Sequence, residues 1–444
     1  MYEKLKKIDH DLFFKKFCIL APILLALFGM CVYIGKWGNA FTPDAGSFGR
    51  FIIMQTGLIY RYGVIPRGLL NTVLVYVNDT FFNGQNYLEV QLAFRYISIV
   101  IFNVFSFVFI YKFGRKLREK YGTVVYPLIY IALFFCFRFF EVTFDYATYD
   151  IYLIAFLALA LYFVCKDKPF LAIIPMTLMM FFHEGSLFMN MPIIYAFALL
   201  KTMGLASKSQ KIKYWVFILV SGVIMSGLFV YFSMICWRGH TFLEYEDYIE
   251  YLINLYGVRD MNYGFEYILH DDFIKQEFIG SHLAGFDIAF YNNPEVFVVY
   301  CYVTTILYML LFTPFVLYFR PAFRKLKPND TCKLDKIKRY LILIAQPLAL
   351  APFIVFKTDE GRWFRFIVFY YIILIFYKIY NDDCSEFIET VKERFESLCV
   401  KAFSNVQSFV CYLAYVVFLY PHGINSPSYF VQYLVVLSYY QLGR

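Results

Sequence analysis

Apolar runs separated by short polar segments recur along almost the whole chain. The runs long enough to form helices cover residues 17–35, 91–112, 123–140, 151–165, 170–182, 187–200, 214–236, 294–318, 340–356, 365–380 and 404–420. A membrane-spanning helix needs roughly 20 mostly apolar residues. The pattern therefore predicts an all-α fold, a polytopic transmembrane helix bundle of about 11 spans, within a range of about 10 to 12.

Composition supports this fold class and argues against a water-soluble domain. Of the 444 residues, 61% are hydrophobic and 17% are charged, and the mean hydropathy is +0.58. The ten cysteines show no metal-ligand spacing, and the sequence predicts neither a metal site nor another cofactor. The net charge of +8 lies largely in connectors, which favours contact with anionic membrane lipids over binding of nucleic acid.

Lysine and arginine positions predict the orientation. The first span follows a lysine-rich tail, and three later connectors, 112–120, 201–213 and 320–339, carry five, four and eight basic residues. Such connectors stay on the cytoplasmic side of a membrane. We therefore expect a cytoplasmic N-terminus.

The polar segments divide a single integral membrane domain, residues 1–444. Residues 36–90 form the first predicted extracytoplasmic loop, whose two apolar runs predict short interfacial helices. Residues 237–293 form the second, with ten acidic and three basic residues. Residues 381–403 predict a cytoplasmic amphipathic helix that lies on the membrane surface.

The segment 169–200 is read as a hairpin broken at His183 and Glu184. A single helix of 32 residues would be about 48 Å long, against a hydrocarbon core of about 30 Å. The zinc-protease pattern requires a second histidine at position 187, which is leucine. The pair is therefore interpreted as a proton-handling dyad in which the carboxylate orients the imidazole, with a buried structural pair as the alternative.

Two arginines in the first outer loop are candidates for phosphate binding. Arg61 and Arg67 flank a glycine and a proline, and guanidinium groups bind phosphate oxygens in a bidentate manner. The glycine between them, Gly63, would allow a close backbone approach. Contact of both arginines with lipid headgroups is the alternative.

Two further outer turns contain charged candidates. Asp44 lies on a turn shortly after the first span, and capping of the turn is the alternative to a functional role. The segment 357–365 carries five charged residues, among which Asp359 and Arg362 would hold a sugar hydroxyl and a phosphate. Trp363 would stack on a sugar ring, and a belt of interface residues is the alternative reading of this turn.

The layout resembles bacterial polytopic polysaccharide-assembly membrane proteins: Wzy-type and EpsG-like polymerases and, more loosely, GT-C lipid-linked glycosyltransferases. The residues that carry the resemblance are Arg61, the run Arg67-Gly68-Leu69, the pair His183-Glu184, and Asp359 with Gly361 and Arg362. It implies a membrane glycosyltransferase or polysaccharide polymerase that uses a polyprenyl-linked glycan at the extracytoplasmic face to assemble O-antigen, capsule or exopolysaccharide. Membrane lipids and other polysaccharide-assembly proteins are the expected partners.

The same resemblance assigns roles to the candidate residues. By analogy, Arg61, Arg67 and Arg362 would bind the diphosphate, and Asp44 or the His183-Glu184 pair would deprotonate the acceptor hydroxyl. The chain departs from GT-C enzymes because its first loop has Asp44 in place of an acidic pair. A lipid-linked glycan flippase or other transporter is the alternative from another class, and a membrane acyltransferase using the histidine is a third.

Overall fold

The computed structural model describes residues 9–37, 57–60, 63–65, 67–84, 87–135, 149–205, 207–232, 247–248, 250–252, 254–255, 304–326, 333–356, 360–402, 404–405, 407–408 and 410. Helices account for most of these residues, and no strand occurs among them. The all-α prediction is therefore confirmed for the part of the chain that the structure describes.

The helices follow the apolar runs of the sequence. Their bounds are α1 His10–Trp37, α2 Gly68–Phe82, α3 Tyr87–Tyr121, α4 Val125–Phe135, α5 Asp150–Cys165, α6 Ile173–Phe182, α7 Ser186–Met189, α8 Met191–Gly204, α9 Lys208–Val230, α10 Thr304–Lys325, α11 Lys333–Phe356, α12 Glu360–Asn381 and α13 Ser385–Ala402. A short 3-10 helix, Pro169–Ala172, leads directly into α6. The predicted run 404–420 lies almost entirely outside the described residues.

Four helical stretches are long and apolar enough to cross a membrane. They are His10–Cys31, Glu89–Tyr121, Ser186–Met203 and Lys208–Val230. Shorter apolar helices cover Asp150–Cys165, Pro169–Phe182 and Phe366–Asn381. Several helices thus have membrane-spanning character, whereas the larger number of about 11 spans stays a prediction.

The outer surface of the long helices is apolar, and polar groups lie inside. On α3, Ile97 and Phe105 are 53% and 69% exposed, whereas Gln91 and Arg95 are at most 1% exposed. Monomeric soluble proteins rarely expose apolar patches of this kind, and water would hydrate the polar side chains rather than leave them inside. This distribution suits helices whose outer face contacts lipid.

The segment 169–200 folds as the predicted hairpin. The α6 helix ends at Phe182, and its cap residue His183 adopts an extended backbone with φ −163° and ψ 114°. Lys201 Nζ, at the end of the second arm, lies 3.1 Å from Asp167 Oδ1, just before the first arm. The two ends of a continuous helix would be far apart, so this ion pair requires a reversal between them.

Basic connectors gather at one end of the bundle. Arg118, near the end of α3, pairs with Asp11, at the start of α1, at 2.7 Å. The Tyr121 hydroxyl donates to the carbonyl oxygen of Asp382, just after α12, at 2.7 Å. The hairpin end reaches the same region, because the rings of Phe197 and Tyr377 are 4.9 Å apart. This end, here called the basic end, matches the predicted grouping of connectors on one side.

The predicted amphipathic helix is present, but its apolar face is covered by protein. In α13, Phe387, Ile388 and Val391 are buried in a cluster to which α10 also contributes. The Tyr318 hydroxyl of α10 donates to the Arg394 carbonyl at 2.9 Å. The buried part of this face thus packs on protein, and the location of the helix at the membrane surface stays a prediction.

Packing of α1 against α3 depends on a glycine, and this predicts a stability effect. A Cβ at Gly114 would lie 2.6 Å from the ring of Phe14, which is fully buried and stacked on Tyr126. We expect Gly114→Ala to destabilise the protein by about 1–3 kcal/mol, measured by thermal unfolding in detergent. Gly227→Ala is the matched control, because a Cβ there meets no atom within 4 Å. Equal unfolding temperatures for the two variants would contradict the packing assignment.

Candidate functional site

A bidentate ion pair joins two regions that are 117 residues apart in the sequence. Arg67 Nε donates to Glu184 Oε2 at 3.1 Å, and Arg67 Nη2 donates to Glu184 Oε1. The two side chains are 16% and 15% exposed. Parallel guanidinium–carboxylate contacts of this type fix both partners in orientation as well as in distance. The structure therefore brings together two candidates that the sequence places in separate loops.

Arg67 adopts a backbone conformation that is uncommon for a residue with a side chain. Its φ is 63° and its ψ is 2°, in the left-handed region, immediately before α2. This conformation costs roughly 1–2 kcal/mol for a residue other than glycine. The surrounding structure holds it, because the Tyr149 hydroxyl donates to the Arg67 carbonyl oxygen at 3.1 Å. Backbone strain maintained by neighbouring groups is frequent at functional sites.

A chain of hydrogen bonds extends from a buried arginine to this carbonyl. Arg95 Nε donates to Gln91 Oε1 at 3.3 Å, and Gln91 Nε2 donates to Asn71 Oδ1 at 3.2 Å. Asn71 Nδ2 then donates to the Tyr149 hydroxyl at 2.9 Å. All the donors point in the same direction, so each bond polarises the next. This network (Arg95, Gln91, Asn71 and Tyr149) fixes the backbone from which the Arg67 side chain extends.

Tyr60 lies directly over the glycine that follows Arg67. A Cβ at Gly68 would collide with the Tyr60 ring, and the Tyr60 amide donates to Thr72 Oγ1 at 2.8 Å. The close approach predicted from the sequence concerns Gly63, between the two arginines, where a Cβ would meet no atom within 4 Å. At Gly68 the space is occupied by an aromatic ring of the same loop.

The two predicted outer loops meet beside the site. Tyr248, from the second loop, donates its hydroxyl to the Gly57 carbonyl at 2.5 Å and accepts from the Ile59 amide at 2.9 Å. The Tyr231 hydroxyl, just after α9, donates to the Val64 carbonyl at 3.3 Å. Sequence reasoning treated the second loop mainly as an acidic surface and did not single out Tyr248, because many tyrosines share that loop.

His183 is held by the backbone rather than by the neighbouring carboxylate. Its Nδ1 accepts a hydrogen bond from the Gly185 amide at 3.0 Å, and Nδ1 lies 3.9 Å from Glu184 Oε2. A neutral imidazole that accepts at Nδ1 carries its proton on Nε2. In this arrangement His183 is a hydrogen-bond donor at Nε2, and Glu184 is turned toward Arg67 instead of orienting the imidazole.

Glu184 is ionised at neutral pH in this environment. Burial by itself would raise its pKa, but the Arg67 guanidinium outweighs burial and lowers the pKa of Glu184 to about 2. A carboxylate stabilised in this way is a weak base while the ion pair lasts. The resting site therefore contains a neutralised pair rather than an available proton acceptor.

The other candidate residues are described in part or not at all. Asp44, Arg61 and Asp359 lie outside the described residues. Arg362 and Trp363 lie in the first turn of α12, and only their backbone is described. The 22-residue α12 helix rises about 33 Å and finishes at the basic end.

Arg67 lies at the end of the bundle opposite the basic end. Tyr149, its hydrogen-bond partner, comes just before α5, and the 16 residues of α5 rise about 24 Å toward Asp167 at the basic end. Because α12 finishes at the basic end, its first turn, which contains Arg362 and Trp363, lies at the opposite end. Both groups of candidates therefore lie at the end opposite the basic connectors. Among the described residues, no group of three or more histidine, cysteine, aspartate or glutamate side chains is arranged to hold a metal ion.

Comparison with known proteins gives no match. No family model, no curated protein and no solved structure matches this chain. The resemblance to polysaccharide-assembly proteins therefore stays a prediction, and the chemistry of the site follows from its own residues.

The partly buried ion pair predicts a non-additive pair of substitutions. Arg67→Ala would leave the Glu184 charge without its partner, and we expect a loss of about 3–5 kcal/mol in the free energy of unfolding. Arg67→Ala combined with Glu184→Ala removes both charges and should be more stable than the single Arg67→Ala variant. Thermal and denaturant unfolding in detergent would measure both effects.

An exposed ion pair provides the control for this cycle. Lys325 and Glu386 are 3.0 Å apart, and their side chains are 49% and 79% exposed. Lys325→Ala should cost less than about 1 kcal/mol. If the losses in unfolding free energy of Arg67→Ala and Glu184→Ala add up to the loss of the double variant, the pairing contributes nothing to stability.

The lowered pKa of Glu184 predicts a pH dependence. A carboxylate whose pKa falls on folding contributes its full stabilisation above the unfolded-state pKa and loses it as the pH drops through the folded-state pKa. For Glu184 the unfolded-state pKa is 4.5 and the folded-state pKa is about 2. The difference in unfolding free energy between the native chain and Glu184→Gln should be constant above about pH 5 and shrink below it. A difference that stays constant down to about pH 3 would contradict the ion-pair assignment.

Proposed function

We propose that the chain is a multi-pass glycosyltransferase or polysaccharide polymerase of a bacterial cytoplasmic (inner) membrane. It transfers a sugar or oligosaccharide from a polyprenyl-diphosphate carrier at the extracytoplasmic face, during assembly of a surface glycan. The observation that carries this proposal is the group of Arg67, Glu184 and His183 at the bundle end opposite the basic connectors. An anion-binding guanidinium and two proton-handling groups meet there.

The chemistry of such a transfer needs few protein groups. The acceptor hydroxyl loses its proton to a base and its oxygen attacks the anomeric carbon. The bond between that carbon and the diphosphate breaks, and the electron pair leaves with the diphosphate. The protein must mainly orient the reactants and stabilise the developing negative charge. Arginines and one base are sufficient, which agrees with the residue types at this site.

The remaining candidates complete the proposed site. Arg61 and Arg362 would bind the diphosphate together with Arg67, while Asp359 and Trp363 would hold the sugar. Asp44 would be the proton acceptor if the His183-Glu184 pair is not. These assignments derive from the sequence.

The surface next to Arg67 suits a lipid-linked substrate. One face of α2 is buried, whereas Val73, Tyr76 and Phe81 on the other face are 50%, 69% and 73% exposed. A polyprenyl chain lying along this apolar face would place its diphosphate near the start of the helix, where Arg67 is located. Burial of apolar lipid against such side chains is favourable at about 25 cal/mol per Å².

A lipid-linked glycan flippase is the second candidate. Arg95 is buried within a stretch of α3 that could cross the membrane, and the hairpin helices are interrupted between residues 183 and 190. Buried charges and broken helices are frequent in transporters. The stacking of Arg95 on Tyr149, 5.3 Å from the ring centre, and its place in the network give it a structural role as well.

Lipid-linked intermediates distinguish the two candidates. We expect a deletion strain, and strains carrying Arg362→Ala or His183→Ala, to have short surface polysaccharide and complete lipid-linked units on the outer leaflet. The measurement is glycan length by gel electrophoresis together with leaflet-specific labelling of the lipid-linked sugar. Accumulation on the inner leaflet would favour the flippase, and unchanged glycans in all strains would contradict both.

Matched control variants lie at the basic end of the bundle. Arg324→Ala, at the end of α10, and His10→Ala, at the start of α1, remove the same residue types away from the proposed site. Both controls should retain full-length surface glycan at normal protein abundance. Loss of glycan in the controls would mean that the effects are not specific to the site.

A further inference from the structure

We propose that Glu184 is a displaceable ligand of the Arg67 guanidinium, and that a phosphate or diphosphate group of the substrate takes its place on binding. This inference rests on the proposed function, which supplies the anionic ligand. Before substrate binds, the Glu184 carboxylate accepts the hydrogen bonds of the Arg67 guanidinium. Substrate binding then releases this carboxylate for proton transfer.

The geometry of the pair supports an exchange of ligands. Glu184 presents two oxygens to two nitrogens of Arg67, and a phosphate group presents two oxygens to a guanidinium in the same manner. The Arg67 side chain is 16% exposed, so the pair is accessible from one side. A bound phosphate would therefore replace the carboxylate without a change in the position of the guanidinium.

The surrounding contacts indicate which partner moves. Arg67 is anchored through its carbonyl oxygen, which accepts from Tyr149 at 3.1 Å and from Asn71 Nδ2 at 3.5 Å. Glu184 lies in the turn between α6 and α7, next to Gly185. A rotation of the Glu184 side chain is less costly than a shift of a backbone held by the buried network. The Arg67 backbone is thus held in place, and in the proposed exchange the Glu184 side chain is the part that moves.

Displacement would change the chemistry of Glu184. The guanidinium is a main cause of the lowered pKa of this carboxyl, whereas burial acts in the opposite direction. When a phosphate takes over Arg67, burial is no longer outweighed, and the carboxylate becomes a stronger base. His183, which accepts at Nδ1 from Gly185, remains a donor at Nε2. The proton of the acceptor hydroxyl would then pass to Glu184 while the diphosphate leaves on Arg67.

The buried hydroxyl of Tyr60, whose ring lies against the residue after Arg67, gives further support for an incoming polar group. The Tyr60 hydroxyl is buried and has no hydrogen-bond partner among the described residues, although the ring lies against Gly68. An unsatisfied buried hydroxyl costs about 1–3 kcal/mol. A phosphate oxygen or sugar hydroxyl bound beside Arg67 would provide the missing partner.

Binding of diphosphate probes tests the proposal. The full chain in phosphatidylcholine nanodiscs would be titrated with inorganic pyrophosphate and with farnesyl diphosphate, and affinities measured by calorimetry. Glu184→Gln removes the competing charge and should bind both probes at least about tenfold more tightly than the native chain. Glu184→Asp has a shorter side chain that reaches the guanidinium less well, so its gain in affinity for the probes should be smaller. This variant replaces Glu184→Gln in the test if Glu184→Gln does not fold. Adding Arg67→Lys to Glu184→Gln should abolish the gain.

Controls separate the proposed exchange from general charge effects and identify the source of the phosphate. Glu386→Gln removes an exposed carboxylate from the basic end and should leave both affinities unchanged. Repeating the titrations in phosphatidylglycerol nanodiscs shows whether lipid headgroups compete. If phosphatidylglycerol weakens probe binding only in the Glu184 variants, the Arg67 site binds headgroup phosphate. If phosphatidylglycerol has no effect on probe binding, the site is assigned to the diphosphate probes.

The outcomes also separate this inference from the proposed function. If the native chain binds farnesyl diphosphate and Glu184→Gln binds it equally well, Glu184 is not a competitor, and the inference fails while the proposed function stands. If Glu184→Gln binds more tightly and the strain that carries it loses its surface glycan, both the exchange and the proton-accepting role are supported. Normal glycan in that strain would overturn the proton-accepting role. Absence of diphosphate binding in every variant overturns the exchange, and unchanged glycan in the deletion strain would overturn the function.

Discussion

The bidentate contact between Arg67 and Glu184 is the interaction on which the site depends. Removing two charges from water costs several kcal/mol per ion, and only close, well-oriented pairing offsets that cost. Here pairing requires the start of α2 to lie against the break between α6 and α7. The ion pair therefore constrains how the first outer loop and the hairpin pack, as well as what their side chains do.

The buried polar network gives this pair a rigid support. Arg95, Gln91, Asn71 and Tyr149 lie within apolar surroundings, where an unmade hydrogen bond is expensive. Their mutual hydrogen bonds reach the Arg67 carbonyl and hold a left-handed residue in place. The polar interior and the apolar exterior of α3 have the same origin, because lipid contact favours apolar side chains outside and leaves polar ones to pair with each other.

Stability and chemistry are opposed at Glu184. The guanidinium that stabilises the carboxylate also makes it a poor base, and a group that binds Arg67 relieves this constraint while occupying the anion site. Substrate binding and proton acceptance would thus be coupled through one pair of side chains. In the proposed reaction, such coupling would restrict proton transfer to the loaded site.

Much of the helical structure was predictable from the sequence, because helix formation depends on local apolar runs. Most of the described parts of these runs are helical, and the hairpin break at His183 followed from the length of a single helix. The same reasoning selected Arg67, His183 and Glu184 as candidates. Their contact was not predictable, since it joins positions 117 residues apart and depends on helix packing.

Tertiary packing decided the details that local patterns do not contain. It turned Glu184 toward Arg67, gave the His183 nitrogen to the Gly185 amide, and placed the Tyr60 ring on Gly68. Packing also brought Phe387 and Ile388 of α13 into a buried cluster with residues of α10. An apolar stripe or a charged side chain specifies that a partner is needed, whereas the identity of the partner depends on which distant segments the fold brings within contact distance.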